Sequence, residues 1–149
     1  MHPDTTSPEA AFEAVLPGHP AVLDALNAVH AAAWAAVEPG LLLLCRARIA
    51  MLLGDEEAEG SASTLDAEIV EALPAWPSSP LFTDKERACL AFTEQFVIDV
   101  ASMDDALVET LRSELGPEGL ANFVNALLVV EQRQRLRLAW RRLFPEVVA

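Results

Sequence analysis

The sequence predicts an all-α fold, a single domain of about six helices, on three observations. Ala, Leu, Glu and Arg, all helix formers, dominate the composition, while Gly is scarce and Tyr absent. β-branched residues are spread too thinly for a sheet, and neither strand-like alternation nor a long internal repeat is present. Apolar residues recur at helical spacing in segments punctuated by Pro, Gly and capping residues. With 149 residues, 52% of them apolar, the chain has material for one proper core.

Taken in order, residues 1–18, with Pro3, Pro8, Pro17 and Gly18, read as a flexible N-terminal arm, and residues 19–149 as the helical domain. A first helix is expected from Pro20 to about Val37, because Val22, Leu26, Val29, Ala33, Trp34 and Val37 keep helical spacing and Pro is tolerated in a first turn. "EPG" at 38–40 is the turn. The second helix, from about Leu41 to Leu53, is apolar nearly all round and so reads as the buried central helix, ended by Gly54 as its C′ residue. On it, Arg46 is expected to reach solvent along its long stem and Arg48 to pair with a buried carboxylate.

Ser63 or Thr64 is expected to cap a short helix ending near Leu73, followed by an extended, proline-broken "PAWPSSP". Thr83-Asp84-Lys85-Glu86 is a capping box; it opens a helix carrying Ala88, Leu90, Ala91, Phe92, Phe96 and Val97 to about Asp99. Ser102 is expected to cap the next helix, with Asp104 and Asp105 in its first turn and Leu107, Val108 and Leu111 on its apolar face. Gly116 ends that helix, and Pro117 starts the last and longest one, stopped by Pro145.

The net charge of −13 argues against nucleic acid, whose phosphates need a basic surface, and against anionic membranes. Half of the basic residues, Arg133, Arg135, Arg137, Arg141 and Arg142, lie in the last 17 positions, so the chain either pairs its own ends or docks one subunit on another. The start, "MHPDTTSPEAAFEAV", has no apolar signal region, and "LLLLCRARIAMLLG" is too short to span a bilayer and carries two arginines. A cytoplasmic location is the expectation. Cys45 and Cys89 form no CxxC, and in a reducing compartment they read as buried free thiols.

Chemistry is less legible. His2, His19 and His30 have no histidine, cysteine or carboxylate partner at metal-ligand spacing, and no HExxH, Gly-rich phosphate loop or GxSxG is present. His30 is a weak catalytic candidate; a satisfied histidine is the simpler reading. In "LLGDEEAEG", residues 52–60, Asp55, Glu56, Glu57 and Glu59 could be read as a cation site, but consecutive acids on a loop diverge. Carboxylates at the start of a helical turn gain about 0.3 to 1 kcal/mol each from the dipole, which is the simpler account. No cofactor and no metal are expected. Arg133, Arg137 and Arg141 stripe one face of the last helix; a solvated stripe helped by a Glu131–Arg135 pair is the first reading, subunit contact or an anion site the second. Trp34, Trp76 and Trp140 read as core or interface anchors.

Three stretches carry a resemblance. "GHPAVLDALNAVHAAAW", "LCRARIAMLLG" and "SPLFTDKERACLAFTEQF", with its Glu86-Arg87 pair, resemble in order and spacing the opening helix, central helix and capped helix of the carboxymuconolactone decarboxylase and AhpD-like (alkylhydroperoxidase D-like) family. The likeness runs from about residue 19 to 143. It implies an all-helical fold assembled as homo-oligomers, trimers or hexamers. In the peroxidase branch it also implies a CxxC at a helix N-terminus, where the dipole favours thiolate, served by an upstream glutamate and a nearby histidine. Carried over position by position, the first cysteine falls on Asp55, the second on Ala58, the histidine on Ala62 and the glutamate on Leu43. All four relay positions are vacant. The expectation is a non-peroxidatic oligomeric binding or accessory protein, with a protein partner or small ligand. The alternative is a family enzyme using another site: decarboxylase-type acid–base chemistry, for which His30 is the helical candidate, or a Cys45-dependent redox step.

Overall fold

The computed structural model describes residues 18–55 and 65–148, and their regular structure is helical throughout. Of the expected arm, Gly18 is described; Ser63, Thr64 and Glu56–Glu59 lie outside the described residues. α1 is Pro20–Ala36, α2 Pro39–Leu53, α3 Ala67–Ala72, α4 Asp84–Ile98, α5 Asp105–Leu143 and α6 Pro145–Val148. Short 3-10 helices cover Leu73–Ser78 and Val100–Ser102.

α2 is central because it is buried on two sides. Leu42, Cys45 and Ile49 face the main core, built with Cys89 and Phe92 of α4 and Leu111, Phe123 and Leu127 of α5. Leu44 and Ala47 face a second cluster with Leu73, Trp76, Phe82 and Leu90. A helix buried on both flanks has no polar stripe, which is why its sequence is apolar nearly all round. Burying one such leucine contributes about 1.5 to 3 kcal/mol.

α4 starts where the capping box places it. Thr83 Oγ1 accepts from Glu86 N–H at 3.2 Å, and Glu86 Oε2 accepts from Thr83 N–H at 2.8 Å. α5 is broken at Gly116 (φ 71°, ψ 171°), and Pro117 has no N–H to carry the helical ladder across, so the two helices expected around Gly116-Pro117 are both present. Three local expectations need correction. α3 starts at Ala67 with Asp66, not Ser63 or Thr64, at its N-cap position. Ser102 sits in a 3-10 turn, and Asp104 caps α5 instead, its Oδ1 accepting from Ala106 N–H at 2.8 Å; Asp at that position matches the aspartate preference at N-caps. The "PAWPSSP" segment is 3-10 helix rather than extended, over Leu73–Ser78. Arg87 holds it there by donating to the carbonyls of Trp76 (3.2 Å), Pro77 (2.8 Å), Phe82 (3.2 Å) and Ser79.

Candidate functional site

The C-terminal end of α2 is the most unusual place in the fold. Gly54 adopts the left-handed conformation (φ 68°), its N–H bonds Met51 O, and Asp55 N–H bonds Ala50 O at 2.9 Å. This is a Schellman motif, whose residue after the glycine normally packs an apolar side chain back on the helix. Here that residue is Asp55, and its carboxylate is fully buried.

Two arginines from the far end of the chain meet it. Arg141 Nη2 donates to Asp55 Oδ1 at 2.7 Å, and Arg137 Nη2 donates to Oδ2. Arg137 is itself buried, and Arg141 is partly so. The reading of Arg133, Arg137 and Arg141 as a solvated stripe is therefore overturned. Arg137 and Arg141 point inward, and Arg133 donates to Asn27 Oδ1 on α1 at 3.2 Å. The companion Glu131–Arg135 pair is present. A single carboxylate against two guanidinium groups is reasonable at this position. The C-terminus of α2 adds partial negative charge of its own, which would repel Asp55 without the cations and attracts them with it. Between Arg46 and Asp55, Gln134 Nε2 donates to Arg46 O at 3.2 Å, so α5 lays a buried polar edge along α2. The reading of Asp55 as an acid at the start of a helical turn is corrected: it follows the C-terminus of α2, where the dipole opposes it, and the arginine pair is what holds it there.

Arg48 finds a carboxylate as expected, although a partly rather than fully buried one. Glu94 Oε1 accepts from Arg48 Nε and from Trp76 Nε1, both at 2.7 Å, which ties α2, α4 and the 3-10 segment together. Arg46 is half-buried with its guanidinium 6.0 Å from the Trp34 ring rather than fully extended to solvent.

The remaining candidates do not converge on this point. Cys45 lies in the main core, wholly buried, and burial pushes its thiol up to about 12, against a smaller lowering by the Thr93 hydroxyl. Burial, and then its neighbour Cys45, raises the Cys89 thiol as well. Both cysteines are free thiols, and neither has the electropositive, accessible surroundings that make thiolate. By helical rise Cys45 is about 15 Å from Asp55. His30 is half-buried on α1 with its ring edge-on to Trp34 at 6.1 Å. Leu43 is half-buried on α2, while Ala58 and Ala62 lie outside the described residues. Among the described residues, no group of three or more His, Cys, Asp or Glu side chains could hold a metal ion. No described helix is long and apolar enough to cross a membrane.

No family model matches the chain, and no curated protein matches it. Its fold does have a counterpart among solved structures. A protein of unknown function from Agrobacterium tumefaciens, provisionally described as an AhpD antioxidant defence protein, superposes with a TM-score of 0.73 at 20% identity, over 84% of this chain and 91% of that one. The order of helices, the buried α2 and this superposition agree: the chain has the AhpD-like all-helical fold.

Proposed function

We propose that this protein is an AhpD-like family member without thiol peroxidase chemistry, acting as a homo-oligomeric binding or accessory protein in the cytoplasm. One observation carries the reading. Where the family resemblance expects the first reactive cysteine, the chain has Asp55, and that carboxylate is taken up by Arg137 and Arg141. A buried, doubly paired carboxylate holds a helix end in place; it has no sulfur to oxidise. The two cysteines offer no substitute, since both thiols are raised by burial.

The oligomeric part rests on α1. Its sequence is mostly Ala, Val and Leu, yet Ala33 is its sole buried residue, and Val22 and Val29 are exposed. An apolar helix left this open is suited to contact with another copy. Peroxide turnover with a dithiol reductant tests the proposal. Neither wild type nor Cys45→Ser should exceed the protein-free rate; robust turnover lost in Cys45→Ser overturns it. Mass in solution tests the assembly, which fails if the protein is a stable monomer at micromolar concentration.

A further inference from the structure

The first turn of α2, the start of α3 and the step from Phe82 into α4 enclose a cavity of about 400 Å³. That is the size of sites that hold small organic molecules. Its lining is mixed, and Leu44, Ile69 and Phe82 supply apolar walls. Among the described residues its charged lining is Glu38, Asp66 and Glu86 with one cation, Lys85. The described rim thus carries an excess of negative charge.

The three carboxylates differ in what else they do. Glu86 is engaged in the capping box, accepting from Thr83 N–H. Glu38 and Asp66 sit at the N-cap positions of α2 and α3, where an aspartate, though not the longer glutamate, ordinarily accepts from a first-turn N–H. Neither side chain does so. Glu38 makes a loose 3.9 Å contact with Lys85, and both side chains are well exposed, so this pair offers little resistance to a competing cation. The wall at Phe82 and Thr83 is fixed in advance, because Arg87 donates to the Phe82 carbonyl and the capping box fixes Thr83. By helical rise the cavity is about 20 Å from Asp55, so it is separate from the ion cluster.

We propose that this cavity binds a small organic cation: an apolar body against Leu44, Ile69 and Phe82, and an ammonium head between Glu38 and Asp66. The apolar walls supply attraction for the body, and the rim selects the sign of the head. A carboxylate of the same shape meets two like charges that have no cap to occupy them.

Calorimetric titration of the full chain at low ionic strength tests this with three probes of one shape: hexylamine, 1-hexanol and hexanoate. Hexylamine should bind saturably and most tightly, and hexanoate least. The Glu38→Gln/Asp66→Asn double variant should weaken hexylamine about tenfold and leave 1-hexanol unchanged, whereas Lys85→Gln should tighten hexylamine about threefold. Should the double variant fail to fold, Lys85→Gln and the loss of hexylamine affinity with added salt still decide the matter. Hexanoate binding as tightly as hexylamine, a hexylamine affinity indifferent to all three substitutions, or no saturable binding overturns the proposal.

Discussion

Asp55 and Arg137, 82 positions apart in the chain, form a buried ion pair in which the carboxylate is fully enclosed and the guanidinium nearly so. Arg141, one helical turn on, closes the pair from the more open side. The cluster joins the end of the central helix to the end of the last one. Its net worth is small, because desolvating three charges costs nearly what their attraction returns. Its removal in part is another matter. Asp55→Ala leaves the buried Arg137 guanidinium without its carboxylate and should cost about 3 to 5 kcal/mol in chemical denaturation. Exchanging Asp55, Arg137 and Arg141 together for leucine or methionine should cost far less than Asp55→Ala alone. Equal losses in the two variants would show that the charges do not act as a unit.

Stability should fall at alkaline pH through the two thiols. The sign follows from linkage: a thiol raised in the folded state keeps its proton there while the unfolded chain loses it. Stability is therefore intact below the ordinary thiol range, near 9, and declines as pH rises toward about 12 for Cys45. The slope is about 1.4 kcal/mol per pH unit for each thiol. Tyr is absent and Lys85 is the sole lysine, so few other side chains titrate in that window. Urea denaturation between pH 8 and 11 should show the decline in wild type and a shallower one in Cys45→Ala, each measured against its own value at pH 8.

Arg87→Ala should loosen the 3-10 segment. It removes charge-assisted donors from the carbonyls of Trp76, Pro77, Phe82 and Ser79, a loss of about 2 to 3 kcal/mol. Amide exchange should rise first in residues 73–83, ahead of α2 and the main core. Uniform acceleration across the whole chain would instead mean that the segment unfolds with everything else.

Gly54→Ala isolates a backbone cost. An added Cβ would meet nothing within 4 Å, so the penalty comes from the left-handed φ of 68° alone, about 1 to 2 kcal/mol. Thermal unfolding should register it, with the helix content of the folded state unchanged.

Much of the fold was legible because its signals are local. Gly54 stops α2, Gly116 and Pro117 divide α5, and the Thr83–Glu86 box starts α4, each decided within a few residues. The central helix was legible because burial on two sides leaves a sequence with no polar face. The ion cluster was not. The four-residue spacing of Arg133, Arg137 and Arg141 places them on one face, but periodicity does not say whether that face meets water or a carboxylate 82 residues away. One signal was available: an aspartate directly after a C′ glycine stands where an apolar residue normally packs, and five arginines at the far end could balance it. Ser102 was mistaken for a cap because both it and Asp104 suit that role, and the backbone chooses the residue nearer the first helical turn.

The rate at which native thiols react with a chromogenic disulfide at neutral pH bears most directly on the claim that this AhpD-like fold lacks a reactive sulfur. Cys45 and Cys89 should both stay silent in the folded protein and both react on unfolding in denaturant. A thiol that reacts at once in the native state, and disappears in Cys45→Ser, would contradict the account.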